Sequence, residues 1–256
     1  MCMELLTRKE SGILTLQFNR PQRKNAITAA MYQALADALA LADSDADIKV
    51  VLIHGSEDCF TAGNDLEDFL EEPPQGDDAP VLQFLRQLSR IGKPLVAAVN
   101  GPAIGIGTTL LLHCDLVYAG EKTKFALPFT SLGLVPEAAS SFLLPRMAGY
   151  QQAAEVLLLG QPFDAHHGKQ LGFVNHVLPA EAVLPAARAA AEKLAALPGR
   201  SVRNTKALLR GGFRHAMETQ MTEEWNLFKD MLTEPAAKEA FAAFLERRKP
   251  DFSGLD

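Results

Sequence analysis

The sequence predicts an α/β fold with parallel strands, followed by a helical C-terminal region. Strand-like apolar runs alternate with helical segments through the first part of the chain, an order typical of parallel sheets. Beyond Pro179 the strand signals stop, and only helical patterns follow. A chain of 256 residues, 48% of them hydrophobic, can bury a substantial core. We expect a core over residues 1–197 and a helical region over residues 198–256.

The elements of the core follow one another in a regular order. Residues 14–18 alternate apolar and polar side chains, as a half-buried strand does. After a polar loop, Thr28 is a typical N-cap, and apolar residues then recur at helical spacing up to Asp43. Further strands are predicted at 50–54, 95–99 and 116–119, and a further helix at 108–112.

The remainder of the chain divides into an insertion and a helical tail. Residues 71–80 are rich in Pro, Asp and Glu, which predicts a mobile surface insertion. Four helices are predicted in the C-terminal part, at 180–197, 201–209, 213–232 and 235–247.

Composition narrows the function classes. The net charge of −6 gives no general attraction to nucleic acid, so we expect no such partner. No apolar run reaches the roughly 18 residues that a membrane span needs, and we expect no membrane partner. The three cysteines include no CxxC pair, and the N-terminus lacks the apolar core of a secretion signal. These features favour a cytoplasmic protein.

Three short segments suggest chemistry. Residues 61–66 and 101–107 are small-residue turns that follow apolar strands, where backbone N–H groups can point at a ligand oxygen. Because neighbouring parallel strands end at the same edge of a sheet, the two loops are expected to converge. The third segment, 134–137, supplies one carboxylate, Glu137, among apolar residues. Oxyanion donors beside a single base predict proton transfer next to a carbonyl.

The order and spacing of several motifs resemble the enoyl-CoA hydratase/isomerase (crotonase) family over nearly the whole chain. The matching stretches are residues 18–21, 24–26, 62–66, 100–107 with 114–115, 172–175 and 244–250. The resemblance implies a spiral of ββα units, with C-terminal helices that build trimers, often paired into hexamers. It implies no separate cofactor and no metal, since coenzyme A is part of the acyl-CoA substrate.

The resemblance also implies roles for particular residues. The thioester oxygen would lie between the backbone N–H groups of Ala62 and Ile106. Arg23 and Lys24 fall where the family approaches the CoA phosphates, although solvated loop charges are an equal alternative. The remaining substrate-binding positions would be Ala26, Gly63, Asn64, Asp65, Leu66, Phe129 and Leu132.

The acid/base residues distinguish between members of the family. Hydratases use two glutamates, and the matching positions here hold Thr109 and Phe129. Glu137 instead matches the glutamate of peroxisomal-type delta3-delta2-enoyl-CoA isomerases, which resemble this chain also in the 63–66 turn. We therefore predict an isomerase in which Glu137 carries the proton. An enoyl-CoA hydratase, another acyl-CoA enzyme of this fold, or a non-catalytic CoA-binding subunit are the alternatives.

Overall fold

A six-stranded sheet organises the structure, a computed structural model that describes residues 2–71, 74, 76 and 78–255. Its strands, in spatial order, are β1 (Leu5–Glu10), β2 (Ile13–Phe18), β3 (Val50–His54), β4 (Leu95–Val99), β6 (Leu116–Gly120) and β9 (His176–Leu178). β1 and β2 form an antiparallel pair, and every later neighbour in the sheet is parallel. The predicted parallel α/β sheet is confirmed.

Strand β1 was not predicted from the sequence. Only Leu5 of its six residues is buried, and the other five are exposed. An edge strand of this kind shows no alternation of apolar and polar residues, so the periodicity gave no signal.

The sheet is covered on both faces. One face packs against the main core, and the other packs against helix α8 (Ala180–Ala196) through Val183, Ala187 and Ala191. The strand predicted at 14–18 is present as β2, but the prediction that one of its faces is exposed is wrong, since even Thr15 is only 9% exposed. Strands covered on both faces are typical of parallel sheets.

A small second sheet was also missed by the sequence analysis. It consists of β5 (Pro102–Ile104), β7 (Lys124–Ala126) and β8 (Phe163–Asp164). Segments of two or three residues are too short to display a hydrophobic period. β5 matters for function because Ala103 pairs with Thr61, which ties two loops together.

Several helices precede the C-terminal region. They are α1 (Ala29–Ser44), α2 (Leu66–Glu71), α3 (Pro80–Arg90), α4 (Ile106–Thr109), α5 (Ser140–Ala148), α6 (Tyr150–Leu159) and α7 (Ala165–Gln170). The predicted N-cap is confirmed, since the Thr28 hydroxyl accepts the Met31 N–H at 3.3 Å. The helix predicted at 108–112 begins earlier, as α4, and continues as a 3-10 turn over Leu110–His113.

The helical C-terminal region is confirmed. α8 is followed by α9 (Gly199–Gly211), α10 (Arg214–Met231) and α11 (Pro235–Leu245). The domain boundary at residue 197 stays a prediction. The surface insertion predicted at 71–80 lies partly outside the described residues, between the end of α2 and the start of α3. Among the described helices, none has the length and apolar character needed to cross a membrane.

Gly63 allows the loop after β3 to approach β5. Its φ of +92° lies in the left-handed region, and a Cβ built there would be 2.7 Å from the Ile104 carbonyl oxygen. No L side chain fits this position without displacing backbone. The loop that carries residues 62–66 therefore depends on a glycine here.

We expect Gly63→Ala to lower the free energy of unfolding by about 1–3 kcal/mol, because it adds both a clash and an unfavourable φ. Gly212→Ala is the matched control, since a Cβ at Gly212 meets no atom within 4 Å and φ is −66°. Urea unfolding of both variants measures the difference. Equal stabilities would contradict the tight approach of the two backbones.

Candidate active site

A cavity of about 690 Å³ lies between the loop after β3, the start of α4 and the helices α10 and α11. Eleven of the twelve predicted site residues line it: Arg23, Lys24, Ala26, Ala62, Gly63, Asn64, Asp65, Leu66, Ile106, Phe129 and Leu132. Glu137, the predicted base, does not line it. The C-terminal region adds Phe228, Phe241, Phe244 and Arg247 to the wall.

The two small-residue loops converge, as predicted. Thr61 pairs in parallel with Ala103, and the Ile104 N–H donates to the Thr61 carbonyl at 3.1 Å. On its other side the same loop pairs with the 24–27 segment through a bridge between Asn64 and Ile27. Backbone pairing on both sides therefore fixes the 61–65 loop in the wall of the cavity.

The assignment of Ala62 as an oxyanion donor is wrong. The Ala62 N–H already donates to the Lys24 carbonyl at 2.9 Å. The Asn64 N–H is differently placed, because Gly63 and Asp65 make the two backbone bonds to Ile27. In a parallel bridge of this kind the central residue's own N–H faces away from the partner strand. Among the described residues, the Asn64 N–H has no acceptor.

Ile106, the other oxyanion donor that the family resemblance implies, lies at the start of a helix. It is the first residue of α4, and a first-turn N–H has no acceptor within its own helix. The preceding Gly105 turns the chain with φ of +56°, and its carbonyl accepts the N–H groups of Thr108 and Thr109. This turn leaves the Ile106 N–H without an acceptor among the described residues.

Glu137 is a buried carboxyl group beside this helix. It is 7% exposed, and its Oε1 accepts a hydrogen bond from the Thr109 hydroxyl at 3.3 Å. Burial raises the pKa of Glu137 to about 8; the Thr109 hydrogen bond opposes this rise and the charge of Glu224 adds to it. Leu134, three residues earlier, does line the cavity. Ile106 and Leu134 thus line the cavity, whereas Glu137, which contacts the helix that begins with Ile106, does not.

The backbone after Glu137 is held by contacts that the sequence analysis missed. Ala138 and Ala139 both adopt left-handed φ values, 57° and 55°. His113 Nε2 donates to the Ala138 carbonyl at 2.7 Å, and burial lowers the pKa of this histidine to about 4, so it is neutral. The Glu224 carboxylate accepts the Ala139 N–H at 2.6 Å. These partners come from other elements, and no local pattern could have indicated them.

Tyr32 is a further polar group near Glu137 that the sequence analysis missed. Its hydroxyl donates to Asn64 Oδ1, which orients the Asn64 side chain. Burial raises the pKa of Tyr32 well above its ordinary value, and the charge of Glu137 acts in the same direction. Tyr32 therefore stays protonated and uncharged.

Asp65 has a structural role in addition to its place in the wall. Its carboxylate accepts from Arg20 and from the Glu67 and Asp68 N–H groups at the start of α2. Burial acts to raise the pKa of Asp65, but the hydrogen bond from Arg20 and the Asp68 N–H outweigh it, and the pKa is lowered. An ionised Asp65 holds the loop to the start of the helix.

Cationic side chains line the cavity in two places. Arg23 and Lys24 lie on the loop after β2, and Arg247 follows α11. Arg23 is paired with Glu67, and so part of its charge is already neutralised. Among the described residues, no group of three His, Cys, Asp or Glu side chains could hold a metal ion.

Comparisons with known proteins identify the family of the chain. The family model for enoyl-CoA hydratase/isomerase matches residues 8–255. The chain is 34% identical to 2,3-dehydroadipyl-CoA hydratase of Escherichia coli strain K12, over 98% of this chain and 99% of that protein. It is 35% identical to enoyl-CoA delta isomerase 2 of Rattus norvegicus over 95% of this chain, which spans 64% of the rat protein.

A solved structure is similar to the whole fold. The enoyl-CoA hydratase/isomerase from Pseudoalteromonas atlantica T6c superposes with a TM-score of 0.93 at 42% identity, covering 97% of this chain and 99% of that one. The predicted fold, an α/β core with helices at its C-terminus, is thereby confirmed. The protein belongs to the enoyl-CoA hydratase/isomerase (crotonase) family and is an acyl-CoA enzyme of the crotonase type.

Proposed function

We propose that this protein is a delta3-delta2-enoyl-CoA isomerase, which moves the double bond of a 3-enoyl-CoA thioester to the 2 position. The reaction needs a base that removes a proton from C2 and returns it at C4, and it needs no water. The observation that carries this proposal is the buried carboxyl group of Glu137, which accepts a hydrogen bond from Thr109 on the helix that begins with Ile106. One carboxyl group can perform both proton transfers in turn.

The two unpaired backbone N–H groups supply the oxyanion site in this proposal. Asn64 and Ile106 line one cavity, and their loops are joined by the Thr61–Ala103 pairing. Between them they would hold the thioester oxygen and stabilise the negative charge of the dienolate. Each such donor is worth about 3 kcal/mol in comparable oxyanion sites.

The residues at the hydratase positions support isomerisation over hydration. The Thr109 hydroxyl donates a hydrogen bond to Glu137 and cannot take a proton from water at neutral pH. Phe129 is apolar and 4% exposed. A positioned acid or base typically contributes about 10²–10⁴-fold to a rate, so the loss of both glutamates disfavours efficient hydration. Relatives of both activities match at nearly equal identity, and so these side chains, not the identity, distinguish the two reactions.

The cavity suits an acyl-CoA thioester in its other parts. Phe69, Phe228 and Phe241 form an apolar wall for a hydrocarbon chain. Lys24, Arg23 and Arg247 would attract the phosphates of coenzyme A.

Assembly into a homotrimer or hexamer and a cytoplasmic location also belong to the proposal. The location is supported by the free thiols of Cys2, Cys59 and Cys114.

Glu137→Gln tests the proposal directly. We expect it to lower kcat/KM for 3-enoyl-CoA isomerisation at least about 10²-fold, because the amide cannot carry the proton. Binding of CoA, measured by calorimetry, should be retained. Glu155→Gln, an exposed carboxyl group on α6, is the matched control and should leave turnover unchanged.

Two results would contradict this assignment. If Glu137→Gln isomerises 3-enoyl-CoA at the native rate, the carboxyl group is not the base. If the native protein instead adds water to crotonyl-CoA efficiently and does not isomerise 3-enoyl-CoA, it is a hydratase.

The pH dependence gives a second test. Because the base must be ionised, kcat/KM should rise with pH through a midpoint near 8, the pKa of Glu137 in the free protein. The Thr109 hydrogen bond lowers that pKa, so Thr109→Val should move the midpoint to higher pH, while Thr109→Ser should keep it near the native value. Profiles of kcat/KM between pH 5.5 and about 9.5 measure the shift. An unchanged or lower midpoint in Thr109→Val would show that Thr109 does not act on the base.

A further inference from the structure

A second buried carboxylate lies behind the base. Glu224, on α10, is 3% exposed. Its Oε2 accepts the Ala139 N–H at 2.6 Å, and its Oε1 accepts the Ser141 N–H at 3.0 Å and also the Ser141 hydroxyl. All three donors belong to the segment that directly follows Glu137. One side chain of the C-terminal region therefore binds the backbone that carries the base.

That backbone needs support from outside. Ala138 and Ala139 both have φ near +55°, a conformation that residues with a Cβ rarely adopt in succession. Such a turn persists only where its surroundings fix it. The described contacts that do so are the bond from His113 to the Ala138 carbonyl and the bonds of Glu224.

We propose that Glu224 is a positioning residue for Glu137: it fixes the 137–141 turn and places a second negative charge near the base. This inference rests on the proposed function, since Glu137 acts as the base only there. Glu224 hydrogen-bonds the backbone at Ala139 and Ser141 and the Ser141 hydroxyl, so in this proposal it acts through Glu137 and not on the substrate.

The electrostatics fit this role. Burial raises the pKa of Glu224 to about 7, although the donors on Ser141 and Ala139 oppose the rise. When Glu224 is ionised, its charge raises the pKa of Glu137. This makes Glu137 a stronger base for a weakly acidic C2 proton.

The other titratable groups around the pair do not supply this charge. Tyr32, which faces Glu137 from α1, stays protonated. The charge of Asp68 raises the pKa of Tyr32 and is not among the causes that shift the pKa of Glu137. His113, which faces the turn from the 3-10 segment, is neutral because burial and the charge of Arg210 lower its pKa to about 4. Among the described residues, Glu224 is thus the negative charge that acts on Glu137.

Three variants separate charge from position. Glu224→Gln removes the charge and places an amide NH2 group, itself a donor, against the backbone N–H donors of the turn. Glu224→Asp keeps the charge but shortens the side chain. Glu223→Gln, the exposed neighbour on the same helix, is the matched control. The readouts are kcat, KM and the pH profile of 3-enoyl-CoA isomerisation, with the melting temperature of each protein.

We expect Glu224→Gln to lower kcat about 10–100-fold with KM nearly unchanged, since a displaced base loses the reactive geometry. The midpoint of its pH profile should fall by about 0.5 unit or more, because the neighbouring negative charge is gone. Glu224→Asp should lose kcat similarly but keep the midpoint within about 0.2 unit of the native value. Glu223→Gln should match the native protein. A midpoint that does not fall in Glu224→Gln would overturn the proposal, even if the melting temperature drops.

Two measurements without substrate keep the inference separate from the proposed function. Hydrogen exchange of the peptide that contains Ala139 and Ser141 should be faster in Glu224→Gln than in Glu223→Gln. The Glu137 carboxyl, assigned by ¹³C NMR through loss of its signal in Glu137→Gln, should titrate at lower pH in Glu224→Gln. If the native protein fails to isomerise 3-enoyl-CoA, the proposed function is wrong, and these two readouts still decide what Glu224 does. If either the exchange of the peptide or the titration of Glu137 is unchanged by Glu224→Gln, the inference is wrong.

Discussion

The proposed reaction of this protein depends on a carboxyl group, Glu137, that folding has removed from water. Burial disfavours the charged form of Glu137, and the Thr109 hydroxyl offsets only part of that penalty. The resulting pKa of about 8 lies close to neutral pH. A group poised in this range can accept a proton from carbon and also return it, which double-bond migration requires of a single residue. Without the burial, Glu137 would be a weak, permanently ionised base.

The fold fixes the two halves of the site by different means. Backbone pairing along neighbouring segments holds the donors, as the bridges at Asn64 and Thr61 show. The turn that carries Glu137, the proposed base, is held by distant side chains, since Glu224 comes from α10 and accepts a hydrogen bond from Ala139, 85 residues earlier. The C-terminal helices therefore bind the turn that carries the proposed base and also line the cavity. The site draws on both sides of the boundary that the sequence predicted at residue 197.

The sequence predicted those parts of the structure that depend on local pattern. The parallel strands, the Thr28 cap and the C-terminal helices each have a period or a capping residue. The position of Ile106 followed from its place after a glycine at a helix start. Whether Ala62 or Asn64 has the free N–H depends on which residue pairs with the 24–27 segment, and composition does not encode this register. The roles of Tyr32 and Glu224 likewise arise from contacts far apart in the chain.

A crystal structure with a bound, unreactive analogue of a 3-enoyl-CoA is the most direct test of the central claim. The thioester oxygen should lie about 2.7–3.1 Å from the N–H nitrogens of both Asn64 and Ile106. A carboxyl oxygen of Glu137 should lie within about 3.5 Å of C2 and face the side of the chain that also presents C4. A Glu137 carboxyl that remains on Thr109, out of reach of both carbons, would contradict its role as the proton carrier.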